Sequence, residues 1–346
     1  MLYRRLGRTD LEISVIGLGT MTWGLQNNQQ QGFEQMDYAL DAGINFFDTA
    51  EMYAVPPSAD TYGTTETIIG NWFAARGNRD RVILASKMCG PGLGWVRGGN
   101  NRIDDGNIRL AVDASLQRLQ TDYIDLYQLH WPNRGSYHFG QQWGYAPAFD
   151  ARAEKENFVE VLQTLQDLIG QGKIRHIGLS NETAWGLASY LQLSEQHDLP
   201  RVVSIQNEYS LMCRQFEPDL SEMSLAEDVG LLAWSPLTRG MISGKYLNGA
   251  RPEGARLTIE TRKEHRTHPL TDTAIERYMA LARQHDLDVC QMALAFVNSR
   301  PFLASTLIGA TTMEQLKSNI DSIDIDLSDE VLQGIEAIRR EIPMPF

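Results

Sequence analysis

Short apolar runs alternate along the chain with longer amphipathic stretches. The runs fall at 15–19, 44–48, 82–86, 124–129, 174–180, 202–206, 231–234 and 305–308. Each is continuous rather than alternating and often β-branched, which is how a strand buried on both faces reads. Between them lie residues on helical spacing. Phe33, Met36, Tyr38, Ala39 and Leu40 lead to a stop at Ala42-Gly43. Ile108, Ala111, Val112, Leu116 and Leu119 form a second stripe. Phe158, Val161, Leu162, Leu165, Leu168 and Ile169 form a third, stopped by Gly170 and Gly172. Further helical patterns run through 184–196, 271–285 and 288–298. Strand then helix, about eight times over, predicts a parallel sheet closed into an α/β (β/α)8 TIM barrel. Residues 2–6 and 12–14, around Gly7-Arg8-Thr9-Asp10, predict an N-terminal β-hairpin that caps the barrel bottom. Stretches 54–64, 89–104 and 132–156, rich in Gly, Pro, Asn and aromatics, read as long inserted loops, and 238–268 as a longer irregular segment.

The 346 residues suit one such barrel with insertions, so a single domain over 1–346 is expected. Composition narrows the partners. With 31 Lys and Arg against 44 Asp and Glu, the net charge of −13 argues against nucleic acid or an anionic membrane as a partner through the overall field. Cys89, Cys213 and Cys290 are far apart and form no CxxC pair, which disfavours a disulfide scaffold or zinc ribbon and favours a reducing compartment. The basic N-terminus is followed by no apolar region, and no long apolar window occurs, so neither a signal peptide nor a transmembrane helix is expected and the address is cytoplasmic.

Competing motifs fail on inspection. Gly17-Leu18-Gly19 lacks the third glycine of a dinucleotide fingerprint. Residues 240–246 are one short of a P-loop and carry Tyr246 where Ser or Thr must reach Mg²⁺. His265 and His268 lie in a charged loop without a cysteine beside them, and no metal site is expected.

In a barrel of this kind, polar residues at the C-terminal ends of strands face the active site. The second run ends at Asp48, followed by Glu51 and Tyr53. The third ends in Ser86-Lys87 and the fourth in Gln128-Leu129-His130-Trp131. The later runs end in Ser180-Asn181, Gln206-Asn207, Trp234-Ser235-Pro236 and Gly309-Ala310-Thr311-Thr312. Taken singly, Asp48 suits a turn, Lys87 a solvated rim, His130 a structural histidine and Tyr53 simple packing. Together they bring an acid, a base and a cation to one face.

At these positions the chain resembles the aldo-keto reductases. Asp48, Tyr53, Lys87 and His130 look like that family's catalytic tetrad, and the stretch from Gly43 to Tyr53 looks like its strand-two signature. The closest likeness is to the bacterial Tas-type branch, a relative of the potassium-channel β-subunits. The resemblance implies an NADP(H) cofactor held by Thr20, Met21, Ser180, Asn181, Gln206, Trp234, Ser235, Pro236, Leu237, Thr238, Arg239, Gly240, Lys245, Gly309, Thr311, Thr312, Gln315 and Asn319. It also implies a small-molecule carbonyl substrate.

The residue chemistry agrees with those roles. A free tyrosine is too weak an acid near neutral pH, and an adjacent ammonium makes it a better proton donor. Lys87 is the candidate ammonium and Asp48 its counter-ion. His130 can orient the carbonyl oxygen. Glu51 either tunes this network or is a loop charge. Ser180, Asn181 and Gln206 can bond a carboxamide, Trp234 can stack on a nicotinamide ring, and Arg239 and Lys245 suit a pyrophosphate. Gly309 and Gln315 stand where many family members carry a cation for the adenosine 2′-phosphate. Trp23 and Trp131 are expected to line an aromatic cleft, with 132–156 as its lid or wall. Three functions compete: an NADPH-dependent carbonyl reductase, an NADP(H)-binding redox-sensing or regulatory subunit with slow turnover, and an unrelated hydrolase using Asp48 and Glu51. The oligomeric state is left open.

Overall fold

A computed structural model describes residues 1–260 and 264–346. Positions 261–263 of the expected irregular segment lie outside the described residues. Strands β1 (Tyr3–Arg5) and β2 (Glu12–Ser14) pair antiparallel. Eight parallel strands then close a barrel: β3 (Ile16–Gly19), β4 (Phe46–Asp48), β5 (Ile83–Met88), β6 (Ile124–Leu129), β7 (Ile174–Ser180), β8 (Val202–Glu208), β9 (Gly230–Trp234) and β10 (Leu303–Ile308). Closure is made by β10 against β3, with Thr306 opposite Ile16 and Ile308 opposite Leu18. This is a (β/α)8 TIM barrel with an N-terminal hairpin.

Helices α1 (Gln29–Asp41), α2 (Thr64–Arg76), α3 (Asp105–Leu119), α4 (Ala151–Gly170), α5 (Ala184–His197) and α6 (Leu220–Glu227) follow successive strands. After β9 come α7 (Arg256–Ile259), α8 (Pro269–Gln284) and α9 (Val289–Asn298), and after β10 come α10 (Met313–Asp321) and α11 (Asp329–Glu341). The expected loop 132–156 is shorter than its pattern suggests, because 151–156 is the start of α4. Asp150 caps it by accepting from the backbone of Arg152 and Ala153. Among the described residues, no helix is long and apolar enough to cross a membrane.

Two apolar layers follow from strand alternation. Inside the barrel, Phe46, Ala85, Leu126, Val203, Leu232, Ala304 and Leu307 pack with Leu6 and Ile13 of the hairpin. Leu6 and Ile13 therefore plug the bottom. Gly7 allows that plug to seat. Its φ is +55°, and a Cβ there would lie 2.6 Å from the Val203 carbonyl oxygen. A larger layer joins the outer strand faces to the helices. Two residues beyond Phe46, Ala85 and Leu126, the same inward alternation delivers Asp48, Lys87 and Gln128 to the opposite mouth.

Candidate active site

Asp48, Lys87 and Gln128 sit on three successive strands. Asp48 pairs with Ala85, and Lys87 lies opposite Gln128. Lys87 is wholly buried and donates to Asp48 Oδ2 at 2.6 Å and to the Thr49 carbonyl at 2.8 Å. The other carboxylate oxygen of Asp48 accepts from Gln206 Nε2 at 2.8 Å and Gln128 Nε2 at 3.1 Å. Asp48 is thus fixed from three strands and holds a charge that would otherwise be expelled from the interior. Burial pulls the Lys87 ammonium down, but Asp48 and then Tyr53 outweigh it and leave its pKa above the ordinary lysine value.

Tyr53 lies on the loop after β4, with Lys87 Nζ 5.0 Å from its ring centroid. Burial raises its phenol above the ordinary value, while the Lys87 charge pulls the other way. The His130 ring is edge-on to it at 5.9 Å. Burial, then Lys87, drives His130 well below the usual imidazole range, so the ring is neutral at neutral pH. Its Nδ1 is buried without a hydrogen-bond partner among the described residues. A shielded phenol, a paired ammonium and a neutral imidazole therefore face one another.

Around this centre the other strand ends interlock. Asn181, left-handed at φ +52°, donates from Nδ2 to the His130 carbonyl at 2.8 Å and to Ser180 Oγ at 3.0 Å. Ser180 Oγ donates to the Gln206 carbonyl at 2.9 Å. Trp234 Nε1 donates to Asn181 Oδ1 at 3.2 Å. Thr20 Oγ1 donates to the Asp48 carbonyl at 2.9 Å, and Met21 packs against Ala50, Tyr53 and Val55.

The family model for the aldo/keto reductase family matches residues 15–340. The chain is 49% identical to Protein tas of Escherichia coli, covering 100% of this chain and 99% of that protein. It is 33% identical to the uncharacterized oxidoreductase YrpG of Bacillus subtilis, covering 98% and 96%. It is 30% identical to norsolorinic acid reductase stcV of Emericella nidulans, covering 94% and 78%. The chain belongs to the aldo/keto reductase family. Membership makes it an oxidoreductase of a family that generally draws on a nicotinamide cofactor.

In this aldo/keto reductase the segment after β9 differs from expectation. Ser235, Thr238 and Arg239 all take left-handed φ values, 53°, 50° and 58°, around Pro236 and Leu237 and ahead of Gly240 at 86°. Successive turns of this kind form concavities suited to anions. Lys245 bends back over them, its Nζ 3.2 Å from where a Cβ on Gly240 would stand. Arg239, which the sequence suits to a pyrophosphate, is already engaged within the chain. Its guanidinium is paired with Glu260 and Glu264, in a ladder continuing through Arg266 to Glu208 at the end of β8. Arg256, which the sequence pattern did not single out, has a buried Nε without a hydrogen-bond partner among the described residues. Burial, then Arg239, draws its guanidinium down to about 9.

At the far end, Gln315 folds back, accepting from the backbone N–H and Oγ1 of Thr311 at 3.0 and 3.1 Å. Thr312 caps α10, and Asn319 is buried on it. Gly309 opens onto empty space. Asn27 Nδ2 donates to the Thr311 carbonyl at 2.9 Å and Gln26 Nε2 to the Gly254 carbonyl at 3.2 Å, drawing the 250–256 segment towards this end.

The two tryptophans part company. Trp131 edges the His130 ring at 5.0 Å and donates to the Pro91 carbonyl at 2.9 Å. Trp23 does not line a cleft. It is fully buried, its indole donates to Gln35 Oε1 at 2.9 Å, and it packs in the helix-side core. The loop after β3 folds back through a Trp23–Asn27 bridge and takes the ring with it. Phe139 stands at the mouth instead, edge-on to Trp131 at 6.2 Å and stacked on Trp234 at 6.0 Å. His265 Nδ1 lies 3.4 Å from Glu264, and His268 caps α8.

Proposed function

We propose that this chain is an NADP(H)-dependent reductase of aldehydes and ketones, with Tyr53 as the proton donor. The observation that carries the proposal is the buried Lys87 ammonium, 2.6 Å from Asp48 and 5.0 Å from the Tyr53 ring. Such an ammonium favours phenolate and so eases proton release from an otherwise weak acid. The oxidoreductase and reductase names of the relatives support the reaction class.

The residues present fit a nicotinamide dinucleotide. The left-handed run after β9 and Lys245 suit a diphosphate, and the Arg256 Nε, without a hydrogen-bond partner among the described residues, suits a further phosphate oxygen. Positions 309 and 315 bring no cation, so the charge that favours the phosphorylated cofactor comes from the segment carrying Arg256. Trp234, Ser180, Asn181 and Gln206 border the ring end, and Thr311, Thr312, Gln315 and Asn319 the adenosine end.

When bound, the nicotinamide supplies hydride to the carbonyl carbon. Tyr53 gives its proton to the carbonyl oxygen, and Lys87, itself kept charged by Asp48, stabilises the phenolate left behind. His130, kept neutral, donates a hydrogen bond that orients the same oxygen. Trp131 and Phe139 exclude water and favour apolar or aromatic carbonyl compounds over sugars. Fluorescence titration with NADPH and NADH, followed by turnover of a benzaldehyde, tests the proposal. Tighter binding of NADPH and steady reduction of the aldehyde are expected. A protein that binds neither dinucleotide is not this enzyme.

A further inference from the structure

Glu51 lies two residues before Tyr53 and is wholly buried. Its carboxylate accepts from five donors. Arg97 Nη1 reaches Oε2 at 2.7 Å, and Arg97 Nη2 reaches Oε1 at 3.0 Å. Tyr62 Oη donates to Oε2 at 2.7 Å. The Cys89 backbone N–H and Sγ donate to Oε1 at 2.8 and 3.1 Å. Burial alone would raise this carboxyl, but Arg97, Tyr62 and Cys89 outweigh it and hold it below the usual carboxylate range.

The main chain of Glu51 is tied as firmly. Its N–H donates to the Lys87 carbonyl at 3.0 Å, and its carbonyl accepts from Gly63 at 2.9 Å. Three segments therefore meet at one side chain: the loop after β4, the start of α2, and the insertion after β5 that carries Arg97. Arg97 reaches back from a short helical turn at Val96–Gly99, where its own φ is left-handed at 46°. A buried ion pair is a poor way to gain stability, because desolvation cancels most of the attraction. A two-pronged Arg–carboxylate contact instead fixes direction and distance.

We propose that the Glu51–Arg97 pair is a positioning device for Tyr53, by which the 89–104 insertion fixes the loop after β4 and holds the phenol against Lys87. The proposal rests on Tyr53 being the proton donor. Neither Glu51 nor Arg97 has to touch substrate. Their effect passes through the Lys87 carbonyl and the 49–53 turn.

The test uses Arg97→Met, Arg97→Lys and Glu51→Gln in the full chain, with turnover of a benzaldehyde expressed per NADPH-binding site so that unfolded protein is not counted. In Arg97→Met, kcat per site is expected to fall about 10- to 100-fold, the usual cost of a small misplacement of a reacting group. The KM for the aldehyde should move less than about threefold, because ground-state binding is untouched. Arg97→Lys should recover part of the loss. Ultraviolet difference titration against the matching Tyr53→Phe backgrounds reads the Tyr53 phenol without turnover. Its ionisation should move to higher pH in Arg97→Met, as the phenol draws away from Lys87. Should Arg97→Met not fold, Arg97→Lys and Glu51→Gln carry the same readouts. Unchanged kcat per site and unchanged Tyr53 ionisation in folded variants overturn the proposal. A wild type that reduces no carbonyl, but whose Tyr53 ionisation still follows Arg97, overturns the reductase function and leaves the positioning role standing.

Discussion

The barrel mouth and the segment after β9 both concentrate charge, but by opposite means. At the mouth, Asp48, Lys87 and Gln128 ride on successive strands, and both carboxylate oxygens of Asp48 are met by side chains from other strands of the barrel. After β9, Arg239, Glu260, Glu264 and Arg266 form a ladder carried almost wholly by loop and anchored at its end on Glu208 of β8. Strands place groups to about half an ångström and resist displacement, which suits the Lys87–Asp48 pair that tunes the proton donor. Loops can open and close, which suits capture and release of a large ligand. The difference predicts a division of labour. Changes at the mouth should alter turnover, and changes after β9 should alter cofactor affinity.

The largest effect should come from Lys87→Met. It removes the largest charge that opposes burial at Tyr53, so kcat should fall about 100-fold or more. The sign of the pH effect follows. Lys87 lowers the Tyr53 pKa, so its loss moves Tyr53 ionisation to still higher pH, and the alkaline limb of kcat moves with it. A pH–rate profile checks this, and an unmoved limb would uncouple Lys87 from Tyr53.

Next comes Arg256→Ala. Loss of one charge-assisted contact should weaken NADPH binding about 10- to 150-fold, with a smaller fall in kcat at saturating cofactor because the Arg256 charge also lowers the Tyr53 pKa. Equilibrium titration at two salt concentrations measures it. A fall in kcat without a change in affinity would erase the division between the two regions.

A smaller effect sharpens the boundary of the mouth. Phe139→Ala should lower kcat/KM for a benzaldehyde about threefold to tenfold relative to a short aliphatic aldehyde, the size of one aromatic contact. Trp23→Phe should leave that ratio alone and lower the melting temperature, because it removes the bond to Gln35 from a closed core. The reverse pattern would put Trp23 back at the cleft.

What could be read from sequence follows the same divide. Strands buried on both faces announce themselves as continuous apolar runs, and the residue ending each run is where the barrel puts its chemistry. Asp48, Lys87 and His130 could therefore be placed at one mouth before any coordinates. Loop-borne groups leave no periodic trace. Arg256 and Phe139 gain their meaning from contacts with distant segments, and the pairing of Arg239 with Glu260 and Glu264 is invisible in the same way. Trp23 sits just past a strand, as a pocket residue should, but the loop turns it inwards. Helix α2 escapes a stripe search because Thr65, Glu66, Ile68, Ile69, Trp72 and Phe73 are all buried, leaving little polar contrast around it. Helix α11 carried usable signals that the pattern of apolar runs passed over. Ser328 caps it, Asp329 and Glu330 open it, and Arg339 and Arg340 close it.

The central claim is that the barrel mouth performs the chemistry while the segment after β9 holds the phosphates of the cofactor. Tyr53→Phe tests it most directly, because it removes one hydroxyl and keeps the ring. NADPH affinity and kcat for a benzaldehyde should be measured on the same preparation. The account predicts a fall in kcat of about 100-fold or more with NADPH affinity within about threefold of wild type. Turnover near the wild-type rate, or cofactor affinity lost together with turnover, would contradict it.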